Sequence, residues 1–328
     1  MSSNSLSTPS SPTAAVALLL GAATSMQTGA VVAKRLFPIA GPTGTAALRL
    51  VFAALMLGML LRPWRARLDT AAWRAVVMYG LALGGMNALY YASISRLPLG
   101  IATALEITGP FIVAVLTSRR GVDFLWIALA AVGLLLLLPI TRAAGGIDRA
   151  GAAFALGAGA CWALYIVFGQ RAGAACGVQA TALGMIVGAV AVAPFGIMSA
   201  GARLFAPRVL PLAIAVALLS TAIPYSLEMV ALRKLPARSF STLMSIQPAF
   251  AALFGLVLLD EHLAPRQWLA IAIVMAASAG TTATAAHESR RTGLRSAAPV
   301  RAQRDARHAP PGRGGTNGNA DRSRQAVA

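Results

Sequence analysis

The sequence predicts an all-α membrane protein with ten transmembrane helices, arranged as two inverted repeats of five helices each. Three observations lead to this fold class. Hydrophobic residues make up 57% of the 328 residues and charged residues only 12%, and the mean hydropathy of +0.70 is too high for a soluble domain of this size. Apolar runs of membrane-spanning length recur along the chain. A proline-containing segment of the first half is repeated in the second half.

The apolar runs have the length that a bilayer requires. A hydrocarbon core about 30 Å thick needs roughly 20 apolar residues per helix. Gly, Ala and Pro are frequent inside the runs, which is typical of membrane helices that pack closely through small residues. We predict spans at 14–33, 42–61, 71–92, 99–118, 124–140, 150–170, 179–199, 209–231, 238–259 and 264–286.

The two ends of the chain differ in composition from the spans. Residues 1–13 are rich in Ser, Thr and Pro and lack the charged start of a cleavable signal peptide, so we expect a short disordered lead. Residues 287–328 are rich in Arg, Gly and Pro, which predicts a disordered cytoplasmic tail. Between them, we expect a first five-helix repeat at 14–140 and a second at 149–286.

The net charge of +18 does not indicate nucleic-acid binding, because the basic residues lie between the apolar runs and in the tail, without interleaved aromatic residues. Most Lys and Arg residues fall on the side that would hold both termini, so the positive-inside rule predicts cytoplasmic termini. The three histidines and two cysteines form no recognisable metal or catalytic cluster. We therefore expect neither a metal nor a cofactor.

A repeat at a constant offset divides the chain into two halves. Pro98 and Pro110 of the first half align with Pro236 and Pro248 of the second. Because each half holds an odd number of spans, the second half must run in the opposite direction, which is characteristic of alternating-access transporters. Prolines inside spans interrupt helices, so we interpret Pro110, Pro224 and Pro248 as helix-breaking scaffold around a site near the membrane midplane.

Three ionisable side chains fall inside predicted spans, where each costs roughly 2.5–3.5 kcal/mol and normally faces protein or a water-filled cavity. Arg49, Glu106 and Glu228 are therefore candidate substrate-binding or proton-coupling residues. Two structural interpretations stay open. Glu106 could form an ion pair with Arg49, and Arg49 could snorkel or fix helix packing.

Polar residues share one face of the third span. Asn87, Tyr90 and Tyr91 have the spacing of neighbours on a helix surface, and the repeat aligns Asn87 with Tyr225 and Tyr90 with Glu228. We expect both faces to line one cavity. These residues therefore join the candidates for substrate binding.

The aromatic residues have a second interpretation, which is that they pack against one another. For Tyr90 and Tyr91 the two interpretations stay open. For Trp162 and Tyr165 in the sixth span we predict packing or a position at the membrane interface.

Several long strings that contain polar residues resemble the bacterial threonine and homoserine exporters of the drug/metabolite transporter superfamily, whose halves are called EamA domains. The resemblance covers about residues 14–286. It is carried by VAKRLFP at 32–38, ALRL at 47–50, GGMNALYYASI at 84–94, PLGIATALEITGP at 98–110, TSRRGVDF at 117–124, ALGAGACWALYI at 155–166 and LSTAIPYSLEMVAL at 219–232.

The resemblance implies ten helices with both termini cytoplasmic, residence in the bacterial inner membrane, and export of L-threonine and L-homoserine in exchange for protons. Arg49, Glu106 and Glu228 fall within the matching segments. The Arg-rich tail beyond 287 and Thr117 depart from the family pattern, away from the expected cavity. The expected partners are a small amino acid, protons and the lipid bilayer.

The chemistry of such a substrate suggests roles for the candidates. We expect Arg49 or helix amino-terminal dipoles to bind the carboxylate, Glu106 or Glu228 the ammonium, and Asn87 or a tyrosine the hydroxyl. One glutamate would bind a proton from the outside and release it inside. The alternatives are an exporter of another metabolite or drug, a passive channel, and a membrane-embedded enzyme, for which no nucleophile, metal or acid/base cluster is visible.

Overall fold

A computed structural model of the protein describes residues 12–66, 68–117, 121–137, 148–224, 226–227 and 245–280. These residues form helices and the connections between them, without a β-strand among them. The predicted tail at 287–328 and residues 1–11 of the predicted lead lie outside the described residues.

The helices follow the predicted apolar runs. They are α1 (Pro12–Leu61), α2 (Thr70–Ile94), α3 (Leu99–Glu106), α4 (Thr108–Thr117), α5 (Gly121–Leu137), α6 (Arg149–Cys176), α7 (Gln179–Ala200), α8 (Val209–Ala217), α9 (Gln247–Leu259) and α10 (265–280). A π-helical turn, Leu218–Ala222, continues α8. Short 3-10 turns follow α1 and α7 at Pro63–Arg65 and Gly201–Phe205.

Within the described residues, four helices are long and apolar enough to cross a membrane. They are Val16–Leu61, Thr70–Ile94, Arg149–Cys176 and Gln179–Phe205, and shorter apolar helices accompany them. Large apolar side chains also cover the outer surface, for example Met198 at 84% exposure. Because a soluble protein rarely exposes extensive apolar surface, this all-helical fold is that of a membrane protein.

The first helix is too long to be a single span. Its 46-residue apolar part would extend about 69 Å at 1.5 Å per residue, more than twice the thickness of a bilayer core. Gly41 breaks it with φ 67° and ψ 166°, a conformation essentially restricted to glycine. α1 therefore has a first arm, 12–40, and a second arm, 42–61, which contain the first two predicted spans. The connection expected at 34–41 is helical up to Ala40.

The fourth predicted span, 99–118, forms two helices instead of one. α3 ends at Glu106 and α4 begins at Thr108, with Ile107 between them. Pro110 has no N–H, so the Glu106 carbonyl lacks the donor that the fourth following residue supplies in an α-helix. The proline therefore explains the break in the turn before it.

α6 packs closely on this break. A methyl group added at Gly159 would lie 2.7 Å from the carbonyl oxygen of Glu106, and one added at Gly109 would overlap the Gly159 carbonyl. Small residues let helices approach in this way. α6 also packs on α2, while α1 packs on α7 and α8, so helices from the first half contact helices from the second.

Asp148 caps the start of α6. Its carboxylate accepts hydrogen bonds from the N–H groups of Ala150 (2.8 Å) and Gly151 (3.1 Å) and from the Arg96 guanidinium (3.0 Å). The Gly151 bond and the Arg96 bond hold the pKa of this exposed carboxyl below its usual range. The cap thus joins α6 to the segment that follows α2.

Candidate functional site

A cavity of about 210 Å³ lies among the helices. Both arms of α1 contribute to it, together with α2, α3, α6, the π-helical turn and α9, so both halves of the sequence line it. The lining residues are Met26, Gln27, Ala30, Arg49, Met86, Asn87, Tyr90, Tyr91, Thr103, Glu106, Trp162, Tyr165, Ser220 and Gln247.

Arg49 is held by two acceptors. Its guanidinium donates to Oδ1 of Asn87 at 2.5 Å and to the carbonyl of Ser220 at 3.2 Å. The Ser220 carbonyl lacks an α-helical donor four residues later, because that residue is Pro224. The guanidinium also lies 5.6 Å from the centre of the Tyr91 ring, within cation–π distance. A guanidinium has five N–H donors, so Arg49 is oriented and still has capacity to bind an anion.

Asn87 uses both ends of its amide. Oδ1 accepts from Arg49, and Nδ2 donates to the carbonyl of Leu83 at 2.9 Å. The residue is only 4% exposed. This arrangement makes Asn87 an orienting partner of Arg49, and the expectation that Asn87 or a tyrosine binds a substrate hydroxyl stays a prediction.

The two tyrosines of α2 have different surroundings. The Tyr90 hydroxyl lies 2.9 Å from the Thr103 hydroxyl, which in turn donates to the carbonyl of Leu99. Tyr91 is 1% exposed, its ring packs on Phe37 with centroids 5.8 Å apart, and its hydroxyl has no partner among the described residues. Tyr90 therefore has a polar role at the cavity wall, whereas Tyr91 mainly packs and supports Arg49.

Glu106 is a buried acid, 8% exposed, at the end of α3. Among the described residues it has no hydrogen-bond or ion-pair partner, although it shares the cavity with Arg49. The structural ion pair between the two residues that the sequence left open is thus absent from the described contacts. The cavity contains a guanidinium group and a carboxyl group that are not bonded to each other.

Nine of the fourteen lining residues were not among the sequence candidates, and four of these nine carry an aromatic ring or an amide. Trp162 and Tyr165 line the cavity, although the sequence favoured packing, and Tyr165 does both because its ring lies 4.9 Å from that of Tyr79. Gln27 and Gln247 were missed. Their signal in the sequence was an amide side chain inside an apolar run.

The remaining candidates are the scaffold prolines and two residues of the eighth predicted span. Pro110 and Pro248 lie in the first turns of α4 and α9, and Pro224 follows the π-helical turn. Each proline lies within four residues of a residue that lines the cavity. Tyr225 and Glu228 lie outside the described residues and stay predictions from the sequence.

The size and charges of the cavity suit a small zwitterion. Its volume of about 210 Å³ is below the 300–1,000 Å³ that is typical of sites for drug-sized ligands. Arg49 offers donors to a carboxylate, and Glu106 offers acceptors to an ammonium group.

Comparison with known proteins identifies the family. Residues 149–283 match the EamA-like transporter family. The chain is 50% identical over 275 residues to the threonine/homoserine exporter RhtA of Escherichia coli strain K12, covering 84% of this chain and 93% of that protein. It is 50% identical over 273 residues to RhtA of Salmonella typhimurium strain SL1344, covering 83% and 92%. It is 29% identical to the uncharacterized transporter YwfM of Bacillus subtilis strain 168, covering 66% and 77%.

A protein of known crystal structure has a similar fold, with a TM-score of 0.52 over 83% of this chain and 98% of that chain. At 16% identity this similarity concerns the fold alone. The RhtA proteins, in contrast, are half identical over most of both chains. The chain therefore belongs to the EamA-like transporter family, and it is a membrane transporter rather than an enzyme.

Proposed function

We propose that this protein exports L-threonine and L-homoserine by alternating access, with protons moving in the opposite direction. The observation that carries the proposal is a cavity of amino-acid size that contains Arg49 and Glu106 without a bond between them. The 50% identity to exporters named for these two substrates supports the same choice of substrate.

The substrate carboxylate binds Arg49. Because Asn87 and the Ser220 carbonyl already hold the guanidinium, little conformational entropy is lost when the carboxylate arrives. The substrate ammonium binds Glu106, whose carboxylate has no competing partner among the described residues. A zwitterion bound in this way neutralises both buried charges at once.

Transport is coupled to protons because one carboxylate binds two cations in turn. Glu106 can bind either the ammonium group or a proton. A proton that arrives from the outside displaces the amino acid, and its release inside restores the site. Glu228 is the alternative carrier that the sequence suggests.

The architecture that we propose for this cycle has ten membrane helices in two inverted repeats, at 14–140 and 149–286. It lies in the bacterial inner membrane with both termini in the cytoplasm. The apolar helices, the break at Gly41 and the distribution of Lys and Arg support this arrangement, in which each half reorients around the cavity.

Transport into proteoliposomes with an imposed pH gradient tests the proposal. We expect saturable, gradient-driven flux of labelled threonine and homoserine, and no such flux of large dyes. Glu106→Gln should lose coupling, because an amide cannot carry the proton. Asp69→Asn is the matched control, since Asp69 caps α2 away from the cavity and asparagine caps equally well. Wild-type coupling in both Glu106→Gln and Glu228→Gln would contradict the antiport scheme.

A further inference from the structure

Gln27, on the first arm of α1, is a buried amide in the cavity wall. It is 3% exposed and lines the cavity beside Met26 and Ala30, which are apolar. Its side-chain amide makes no hydrogen bond to another described residue. Burying an amide without a partner is unfavourable, so the arrangement calls for a partner that enters the cavity.

The other two residues with an amide side chain in the cavity, Asn87 and Gln247, each have an interaction partner. Asn87 uses its oxygen for Arg49 and its nitrogen for Leu83, and Gln247 has an interaction of its own. Gln27 therefore presents an uncommitted neutral amide, which can donate and accept at once. A hydroxyl group also donates and accepts, and it is the substrate group that neither charged residue binds.

We propose that Gln27 recognises the side-chain hydroxyl of the substrate and makes the transporter selective for hydroxy amino acids. This assignment rests on the proposed function. The flexible glutamine side chain can reach a hydroxyl on either the β or the γ carbon, which explains how threonine and homoserine share one site. A site that hydrogen-bonds a hydroxyl rejects analogues that lack it, because its own polar group is then left unpaired.

The test is the ratio of kcat/KM for threonine to that for valine, which has the same shape without the hydroxyl. We expect the wild type to prefer threonine by more than about tenfold. Gln27→Leu should bring the ratio close to one, mainly through the KM of threonine. Gln27→Met, which keeps the unbranched shape, should do the same if the leucine variant folds poorly. Gln170→Leu, an exposed glutamine on α6 outside the cavity, should keep the wild-type ratio.

The outcomes separate this assignment from the proposed function. If a folded Gln27→Leu or Gln27→Met protein keeps the wild-type ratio, the role of Gln27 is wrong while threonine export stands. If the wild type transports neither threonine nor homoserine, the proposed function and the role of Gln27 both fall.

A second, independent feature is an ion pair that ties three helices together at one end of the bundle. Lys34 of α1 lies 2.5 Å from Glu261, just after α9, and also donates to the carbonyl of Leu97 at 3.2 Å. The second oxygen of Glu261 accepts from the N–H of Leu99, the first residue of α3, at 2.7 Å. Gly255 leaves the space that the Glu261 carboxylate occupies. We name this set of contacts the Lys34–Glu261 clamp.

The three helices that meet at the clamp also line the cavity. Gln27 lies on α1, Glu106 on α3 and Gln247 on α9. α3 spans only about 12 Å between the clamp and Glu106, at 1.5 Å per residue. We infer that the Lys34–Glu261 clamp is a gate that holds this end of the cavity closed and opens during the transport cycle.

Thiol labelling tests the gate. Ala30→Cys places a thiol in the cavity wall, in a background with Cys161→Ser and Cys176→Ser, and a membrane-impermeant methanethiosulfonate reagent is applied to intact cells and to inverted vesicles. Glu261→Gln removes the charge but keeps an acceptor for Leu99. We expect it to speed labelling severalfold from one face of the membrane.

The control is a second ion pair beside the clamp. Arg96 and Asp148 are 3.0 Å apart but exposed, and Asp148→Asn keeps the helix cap while it removes the charge. It should leave the labelling rates unchanged. Lys34→Met should reproduce the effect of Glu261→Gln. If neither clamp variant changes labelling from either face, the clamp is not a gate.

Discussion

Arg49 illustrates how single residues prepare the site. Its guanidinium binds Asn87 and the Ser220 carbonyl, and a hydrogen bond to a charged group contributes about 1.5–3 kcal/mol. We therefore predict that Asn87→Leu raises the KM for threonine tenfold or more, because the guanidinium is no longer oriented. Steady-state transport kinetics measure this change. An unaltered KM in a folded Asn87→Leu protein would show that Arg49 does not need its partner.

Tyr91 and Tyr90 allow a paired prediction at the same scale. The Tyr91 hydroxyl is buried without a described partner, so Tyr91→Phe should leave the melting temperature in detergent unchanged or raise it. Tyr90→Phe removes the bond to Thr103 and should cost about 1 kcal/mol. If Tyr91→Phe proves the more destabilising of the two, the Tyr91 hydroxyl has a hydrogen-bond partner in the folded protein and the prediction is wrong.

At the scale of the helices, α6 packs tightly against the break between α3 and α4, next to Glu106. We predict that Gly159→Ala destabilises the protein by about 1–3 kcal/mol, because the added methyl group meets the Glu106 carbonyl. Transport should fall as well, because the backbone of Glu106 must move.

Gly173 supplies the control for this substitution. It lies on the same helix, and a methyl group there meets nothing within 4 Å. Alanine is a better helix former than glycine by about 1 kcal/mol, so Gly173→Ala should be neutral or stabilising in thermal unfolding. Equal effects of the two substitutions would mean that α6 can shift away from the break.

At the scale of the whole molecule, the sequence predicted the helices better than the contacts between them. A helix that crosses a membrane needs an apolar run as long as the membrane is thick, and such runs can be located in the sequence. The described helices therefore follow the predicted runs. The partners of a side chain depend on the fold. Arg49 bonds to a carbonyl 171 residues away, and Lys34 to an acid 227 residues away, and no local pattern marks either pair.

The sequence predicted only part of the candidate site, and the cost of burying each side chain explains which part. A charge inside an apolar run is costly, so Arg49 and Glu106 stood out in the sequence. A single neutral amide such as Gln27 costs less and has no distinctive spacing. The sequence predicted that Pro110 interrupts its span, but it did not place the break at Ile107, because the proline removes a hydrogen bond of the preceding turn.

Topology can be tested on the whole chain. An even number of spans puts both termini on the same side of the membrane, and we predict that this side is the cytoplasm. A green fluorescent protein fused after Ala328 should fluoresce, and alkaline phosphatase fused there should be inactive. Phosphatase inserted within 141–148 should be active, because the proposed repeats place this connection outside. The reverse pattern would overturn the proposed orientation.

The central claim is that the cavity binds the two charged ends of an amino acid through Arg49 and Glu106. A thermodynamic cycle with purified protein tests it most directly, by measuring the Kd of threonine and of threonine amide for the wild type and for Arg49→Gln. We predict that the wild type binds threonine at least tenfold more tightly than the amide, and that Arg49→Gln binds both equally. If the preference for the carboxylate survives in Arg49→Gln, the substrate does not bind this residue and the account is wrong.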